Sequence, residues 1–118
     1  MIQYYGRHGE PISLETYLTR SGFTFYTTIR QEYAPNGVWV STVWLGFDHN
    51  PGNSKPMIFE TMDYDPNTDT YSNCQRYSTE QEALDGHIKR VQEHNAARNN
   101  SAVPCSNMPL ASPKPSLN

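Results

Sequence analysis

Residues 38–64 read VWVSTVWLGFDHNPGNSKPMIFETMDY, and this stretch decides the fold. Val38 to Phe47 is dense in β-branched and aromatic residues, the types that fit a pleated surface. Trp39, Val43, Leu45 and Phe47 fall on one side of it and Val38, Val40 and Trp44 on the other. A strand apolar on both sides is central in its sheet, and both of its faces need cover. A partner protein could supply one cover. After it, DHNPGNSKP is turn-rich, and MIFETMDY is the next strand. Upstream, Asn36-Gly37 is the strongest short hairpin signal and joins this strand to FTFYTTIRQEY, which also reads as a strand. Downstream, DPNTD is a turn and TYSNCQRY a further strand. Short strands joined by short turns make a meander.

Helices flank it. IQYY is a short β-like run, and PISLETYLTRSG follows with helix signals. Ser13 is placed to cap, Ile12 and Tyr17 to form a hydrophobic staple, and Gly22 to end the helix in the left-handed region. Leu14, Tyr17 and Leu18 are its expected buried stripe. Near the other end, Ser78 and Gln81 have capping-box spacing and open a helix over roughly Thr79 to Ala97. Glu80 and Glu82 at its start and Lys89 and Arg90 further on suit the macrodipole. Its expected buried stripe is Ala83, Leu84, His87, Ile88 and Val91. The fold class is α+β: a four- to five-stranded antiparallel β-meander with a short N-terminal helix and a C-terminal helix packed on the sheet.

A chain of 118 residues holds one domain. From Arg98 onward it has four of its nine prolines, many Ser and Asn, and no aromatic residue. Residues 1–97 are therefore the expected domain and 98–118 a disordered tail, too poor in apolar area to offset ordering entropy. Residues 1–97 carry twelve acids against seven bases, and 60–85 hold seven acids against Arg76 alone. That balance argues against direct nucleic-acid binding, which needs clustered Lys and Arg, and suits a basic surface on a partner. The two cysteines, Cys74 and Cys105, give no metal spacing, and with Cys105 in the tail no bridge is expected. The N-terminal MIQYYGRHGE lacks signal-peptide character, and no run reaches membrane-spanning length. The expected setting is the cytoplasm.

Several constellations invite a chemical reading. Asp48, His49 and Glu60 are the candidates for a small hydrolase or nucleotide-handling site, since a catalytic histidine needs an orienting carboxylate. Adjacent Asp48 and His49 diverge on extended chain, however, and Asp and Asn are also what a turn selects. Glu60, between Ile58 and Met62 on one strand face, is costly there unless paired, and Arg76 and Arg30 are its candidate partners. His49, His87, His94 and Glu60 lack the helical spacing that places two imidazoles on one metal, so no metal or cofactor is expected. Asp63, Asp65, Asn67 and Asp69 alternate as in a calcium loop, but Thr68 and Cys74 stand where that loop needs Gly and Glu.

Three blocks in order, VSTVWLGFDHN, PMIFETM and CQRYSTEQEALDGH, resemble a group of small uncharacterised proteins encoded by actinobacterial phages and prophages. Members of that group read VSTVWLGLDH, PPLIFETMVF and RYSTEEEALAGH. After FETM this chain departs, with DYDPNTDTYSN in place of an apolar-glycine step. The resemblance implies a phage setting, where compact proteins bind and disable host factors, anti-CRISPR inhibitors among them. The expected function is stoichiometric binding and inhibition of a host protein, such as a nucleic-acid-binding defence effector. Its expected contact residues are Trp39, Glu60, Asp63, Tyr64, Asp65, Asp69, Glu80 and Glu82. The alternatives are the hydrolase already described and a virion or structural subunit.

Overall fold

The computed structural model describes residues 2–49, 52 and 55–96. The expected tail at 98–118 lies outside the described residues. Two short strands, β1 (Tyr4–Tyr5) and β2 (Pro11–Ile12), pair antiparallel. Helices α1 (Leu14–Ser21) and α2 (Thr24–Thr27) follow. A four-stranded antiparallel meander then runs β3 (Thr28–Tyr33), β4 (Trp39–Trp44), β5 (Phe59–Asp65) and β6 (Thr70–Tyr77), in that spatial order. Helix α3 (Glu80–Ala96) closes the described chain and packs on all four strands. The class is α+β, as the alternation of the strands indicates.

The turn chemistry holds. Gly37 sits at φ 91°, a conformation a side chain disfavours, and the loop is closed by bonds from the Ala34 amide to the Val38 carbonyl and from the Gly37 amide to the Ala34 carbonyl. Asn36 Oδ1 accepts from the Val38 amide. At the next hairpin Asp65 Oδ1 accepts from the Asn67 amide, an Asx turn.

Register sorts the side chains. Val40, Thr42 and Trp44 of β4 share a face with Phe59, Thr61 and Asp63 of β5, because these residues are direct cross-strand partners. This first face meets α3. Trp39, Ser41 and Val43 share the second face with Glu60, Met62 and Tyr64. The apolar core, Trp44, Ile58, Phe59 and Ala83, sits between sheet and helices, with Tyr17 and Tyr26 packed against Trp44. Trp44 donates its indole N–H to the Tyr5 carbonyl, which ties the small β1–β2 ladder to the main sheet.

Four local expectations need correction. Helix α1 is capped by Ser13, but Gly22 ends it at φ −81° in the right-handed region, and bonds back to Thr19 and Arg20 close the turn. Of its expected stripe only Tyr17 enters the core, and Leu14 and Leu18 are exposed. Thr24–Thr27 is a helical turn despite its β-forming residues, because that turn seats the Tyr26 ring edge-on against Trp44. There its hydroxyl meets the Arg7 amide and the Arg20 guanidinium. Tertiary contacts here override strand propensity. Last, the capping box of α3 is Thr79 with Glu82, one residue later than expected: Thr79 Oγ1 accepts from the Glu82 amide and Glu82 Oε1 from the Thr79 amide.

A glycine sets how closely α3 approaches β6. A methyl group at Gly86 would collide with the Tyr77 hydroxyl and ring. Gly86→Ala should therefore destabilise the fold by about 1–3 kcal/mol through overpacking. In a Tyr77→Ala background the same substitution should cost much less. Urea unfolding of the four-protein cycle checks the coupling, and additive losses would remove this contact as the cause.

Candidate functional site

Helix α3 is docked mainly by polar groups. Ala83, His87, Arg90 and His94 recur at helical spacing and are the residues it buries, while Ile88 is exposed. The expected stripe is thus rotated, and its centre is basic. The reason lies in the sheet, whose first face carries carboxylates on two strands. Glu32 on β3 accepts from His87 Nε2 at 2.9 Å, and Asp63 on β5 accepts from Arg90 Nη1 at 2.9 Å and His94 Nε2 at 2.8 Å. Apolar residues at these helix positions would leave buried Asp63 without its Arg90 counter-charge, at a cost of several kcal/mol, and would take from Glu32 the His87 hydrogen bond it holds beside Arg30.

The first cluster forms a chain. Buried His87 places Nδ1 2.8 Å from Thr42 Oγ1, Thr42 bonds Thr61, and Tyr77 bonds Thr61 in turn. One arrangement satisfies the first three: Thr61 donates to Thr42, Thr42 donates to Nδ1, and Nε2–H donates to Glu32. It requires a neutral imidazole. Burial favours that form and pushes the His87 pKa down, against the raising effect of Glu32. The hydrogen bond from His87, against the effect of burial, helps hold the Glu32 carboxyl below its usual range, with Arg30 adding to it. Carboxylate, imidazole and hydroxyl in this order resemble the parts of a nucleophilic triad. His87, Thr42 and Thr61 are nevertheless 0% exposed, so no substrate reaches the hydroxyls. The chain is structural.

The second cluster surrounds Asp63, which also accepts from Asn73 Nδ2 at 3.0 Å. Asn36 of the β3–β4 hairpin reaches His94 Nδ1 at 3.0 Å. A donor from Asn36 at Nδ1 and a donated Nε2–H to Asp63 tie one hairpin, one central strand and the last turns of α3 together.

The residues expected to bind a partner divide. Glu60 is fully buried on the second face, with Oε2 held by Arg76 Nε at 3.0 Å, which is one of its expected pairings. Burial pushes its pKa up despite Arg76. Asp63 is buried as described, and Tyr64 is buried with its hydroxyl donated to Asp69. Neither Glu60 nor Asp63 can face a partner, because each is itself buried and paired inside the fold, Glu60 with half-buried Arg76 and Asp63 with buried Arg90. Trp39 is half-buried against Tyr33. Glu80 is paired with Arg7 at 2.6 Å. Asp65 is half-buried, and Asp69 and Glu82 are exposed. The acid run therefore does not make one continuous acidic face.

The hydrolase triplet does not assemble. His49 stacks on Phe47, and its Nε2 is buried without a hydrogen-bond partner, as is Glu60 Oε1. Burial is the main cause that lowers the His49 pKa, followed by the nearby Arg76 charge and opposed by Asp48. His49 and Glu60 thus share Arg76 as a neighbour without bonding each other. Among the described residues no group of three or more His, Cys, Asp or Glu side chains is arranged to hold a metal ion. None of the described helices is long and apolar enough to cross a membrane. Cys74 is disulfide-bonded, against the expectation of an unbridged chain. Its possible partner within the chain, Cys105, lies outside the described residues.

What the sequence reading missed is an apolar corner. Leu14 and Leu18 sit one turn apart on α1, and Phe23 and Phe25 follow at α2 with ring centroids 5.5 Å apart. Leu18 is 59% and Phe25 77% exposed. Exposed rings and leucines on consecutive elements mark contact surfaces more than scattered singles do. The signal available in the sequence was an excess of apolar residues over 12–26, more than one short helix and one strand face can bury.

A buried histidine whose folded pKa is depressed contributes stability above its ordinary value, 6.5, and loses it as pH falls below that. Unfolding midpoints should accordingly fall below about pH 6.5, and His87→Gln should remove that part of the slope. Glu60 acts in the opposite sense, its raised pKa favouring the fold as pH falls, so the His87 difference and not the raw profile is the test. Asp63→Ala should cost about 3–5 kcal/mol by leaving Arg90 buried without its partner, measured by urea unfolding. Comparison with family models, with curated proteins and with solved structures finds no match to this chain.

Proposed function

We propose that this is a non-enzymatic protein that works by stoichiometric binding to a host-cell protein, with the α1–α2 corner as its apolar anchor. The observation that carries this reading is the exposure of Phe25 at 77% beside Phe23, with Leu14 and Leu18 exposed on α1. Aromatic anchors at an interface bury large area with few rotors and dominate its energetics. The reactive-looking groups favour binding over catalysis: the acid–histidine–threonine chain is sealed, and His49 and Glu60 make no hydrogen bond to each other.

The partner class follows from the resemblance to phage-encoded proteins and from charge. A basic, nucleic-acid-binding host defence effector, as in anti-CRISPR inhibition, would meet the remaining acids at the β5–β6 turn and the head of α3. Asp65, Asp69 and Glu82 then steer encounter, while the apolar corner supplies affinity. The setting is the host cytoplasm.

Leu18→Ser with Phe25→Ser should leave the unfolding midpoint close to wild type, since both side chains are exposed, and weaken binding by roughly 30-fold. Capture from host lysate with the wild type, followed by titration of the captured protein against both forms, measures it. Equal affinity of the two forms removes the corner as the anchor. Light scattering separates the structural-subunit reading: an oligomer that dissolves with the double variant would make the partner another copy of the chain.

A further inference from the structure

Helix α3 runs beside β6, and a groove of about 600 Å³ opens between them. That volume falls among those of ligand sites, roughly 300–1,000 Å³. One wall of it is an edge strand. β6 ends the strand order, so among the described residues no strand pairs with its outer side. Past the irregularity at Asn73, Gln75 to Tyr77 keep regular register with Thr61 to Phe59. The Tyr77 carbonyl accepts from the Ile58 amide and so points inward, to β5. Alternation then turns the amide and carbonyl of Arg76, which lines the groove, to the outer side. The other edge strand, β3, is blunted by a register shift between Thr28 and Arg30 and by the Arg30–Glu32 pair along it.

The other wall is a charged flank of α3. Asp85, Lys89 and Glu93 all line the groove, all are exposed, and each stands four residues from the next. Charge therefore alternates along the row, minus, plus, minus, at intervals of about 6 Å. Among the described residues none of the three belongs to an ion pair, and Asp85 accepts from neutral Gln81. The arginines of the groove, Arg76 and Arg90, are by contrast already held by Glu60 and Asp63. Alternate residues of an extended chain stand about 6.8 Å apart, close to the interval of the row.

We propose that this groove takes an extended segment of a partner protein, added to the β6 edge as a fifth strand, with the charge sequence Lys-x-Glu-x-Lys facing α3. In this mode main-chain bonds to the sheet edge supply affinity, and side chains at alternate positions supply specificity. The outer two bases meet Asp85 and Glu93, and the acid between them meets Lys89. The pattern reads the same in both directions, so it suits a parallel or an antiparallel fifth strand. Single exposed ion pairs are weak, and discrimination comes from the row of three together. The groove is separate from the α1–α2 corner, and its reading does not rest on that of the corner.

The test uses the full chain and fluorescein-labelled heptapeptides, read by fluorescence anisotropy. Thr-Lys-Thr-Glu-Thr-Lys-Thr should bind about tenfold tighter than its charge-reversed counterpart, Thr-Glu-Thr-Lys-Thr-Glu-Thr. It should also bind tighter than Thr-Lys-Thr-Lys-Thr-Lys-Thr, and Lys89→Glu should invert that second order. Lys89 is exposed, so the variant keeps its fold, which circular dichroism checks. Methylating the probe's backbone nitrogens one at a time should alternate between loss and tolerance, because every second amide faces the β6 edge. Leu18→Ser with Phe25→Ser should leave binding of the probe unchanged, which separates a failure of this site from a failure of the corner. No binding of any probe up to about 1 mM overturns the proposal. An order set by net charge alone in both proteins overturns it too, as does indifference to every methyl group. Loss of binding in the corner variant places the peptide there and has the same consequence. A dimer in light scattering that the probe splits makes a second copy the occupant, which also overturns it.

Discussion

The position of α3 on the sheet depends on Asp63. This carboxylate, 2% exposed in the middle of the meander, accepts from Arg90, His94 and Asn73 at once. A buried ion pair adds little net stability compared with a well-packed apolar pair, because desolvation offsets most of its Coulomb gain. What it does add is definition. An apolar helix face tolerates sliding by a turn, whereas a carboxylate with three fixed donors does not. His87, held between Glu32 and Thr42, repeats the constraint one turn earlier. Two such points set both the rotation and the axial position of the helix, and Gly86 then allows it to settle against Tyr77.

That polar seam explains what was legible in the sequence and what was not. The meander was legible because its signals are local: Asn36-Gly37 needs only its own backbone, and alternation in VWVSTVW needs only a pleat. The two faces of β4 came out as read for Trp39 and Val43 against Val40 and Trp44. The helical turn at Thr24–Thr27 was not legible, since nothing within FTFYTT announces that Tyr26 must reach Trp44 and two arginines. The stripe of α3 came out only in part, with Ala83 and His87 buried as read but Ile88 exposed and Arg90 and His94 buried instead, for a related reason. Periodicity counts apolar residues, and the buried positions here are Ala, His, Arg and His, chosen by carboxylates fifty or more residues away for Glu32 and about thirty for Asp63.

The acid run misled in an instructive way. Seven acids between 60 and 85 look like a surface, yet Glu60 and Asp63 are interior and Glu80 belongs to Arg7. Charge counted along a chain says nothing of where strand alternation sends each carboxylate. Glu60 and Asp63 even lie on opposite faces of β5.

Polar groups in the interior and apolar groups outside together invert the usual distribution, and the two halves of that inversion are connected. Leu14, Leu18, Phe23 and Phe25 are not needed in the core, because Trp44, Phe59, Tyr17 and Tyr26 already fill it and the polar seam does the rest of the docking. A chain with apolar residues to spare and none of them wanted inside would gain solubility by replacing them with charges. Their retention on two adjoining helical segments makes sense if something else covers them. On the proposed reading, that exposed corner is the surface a partner would cover.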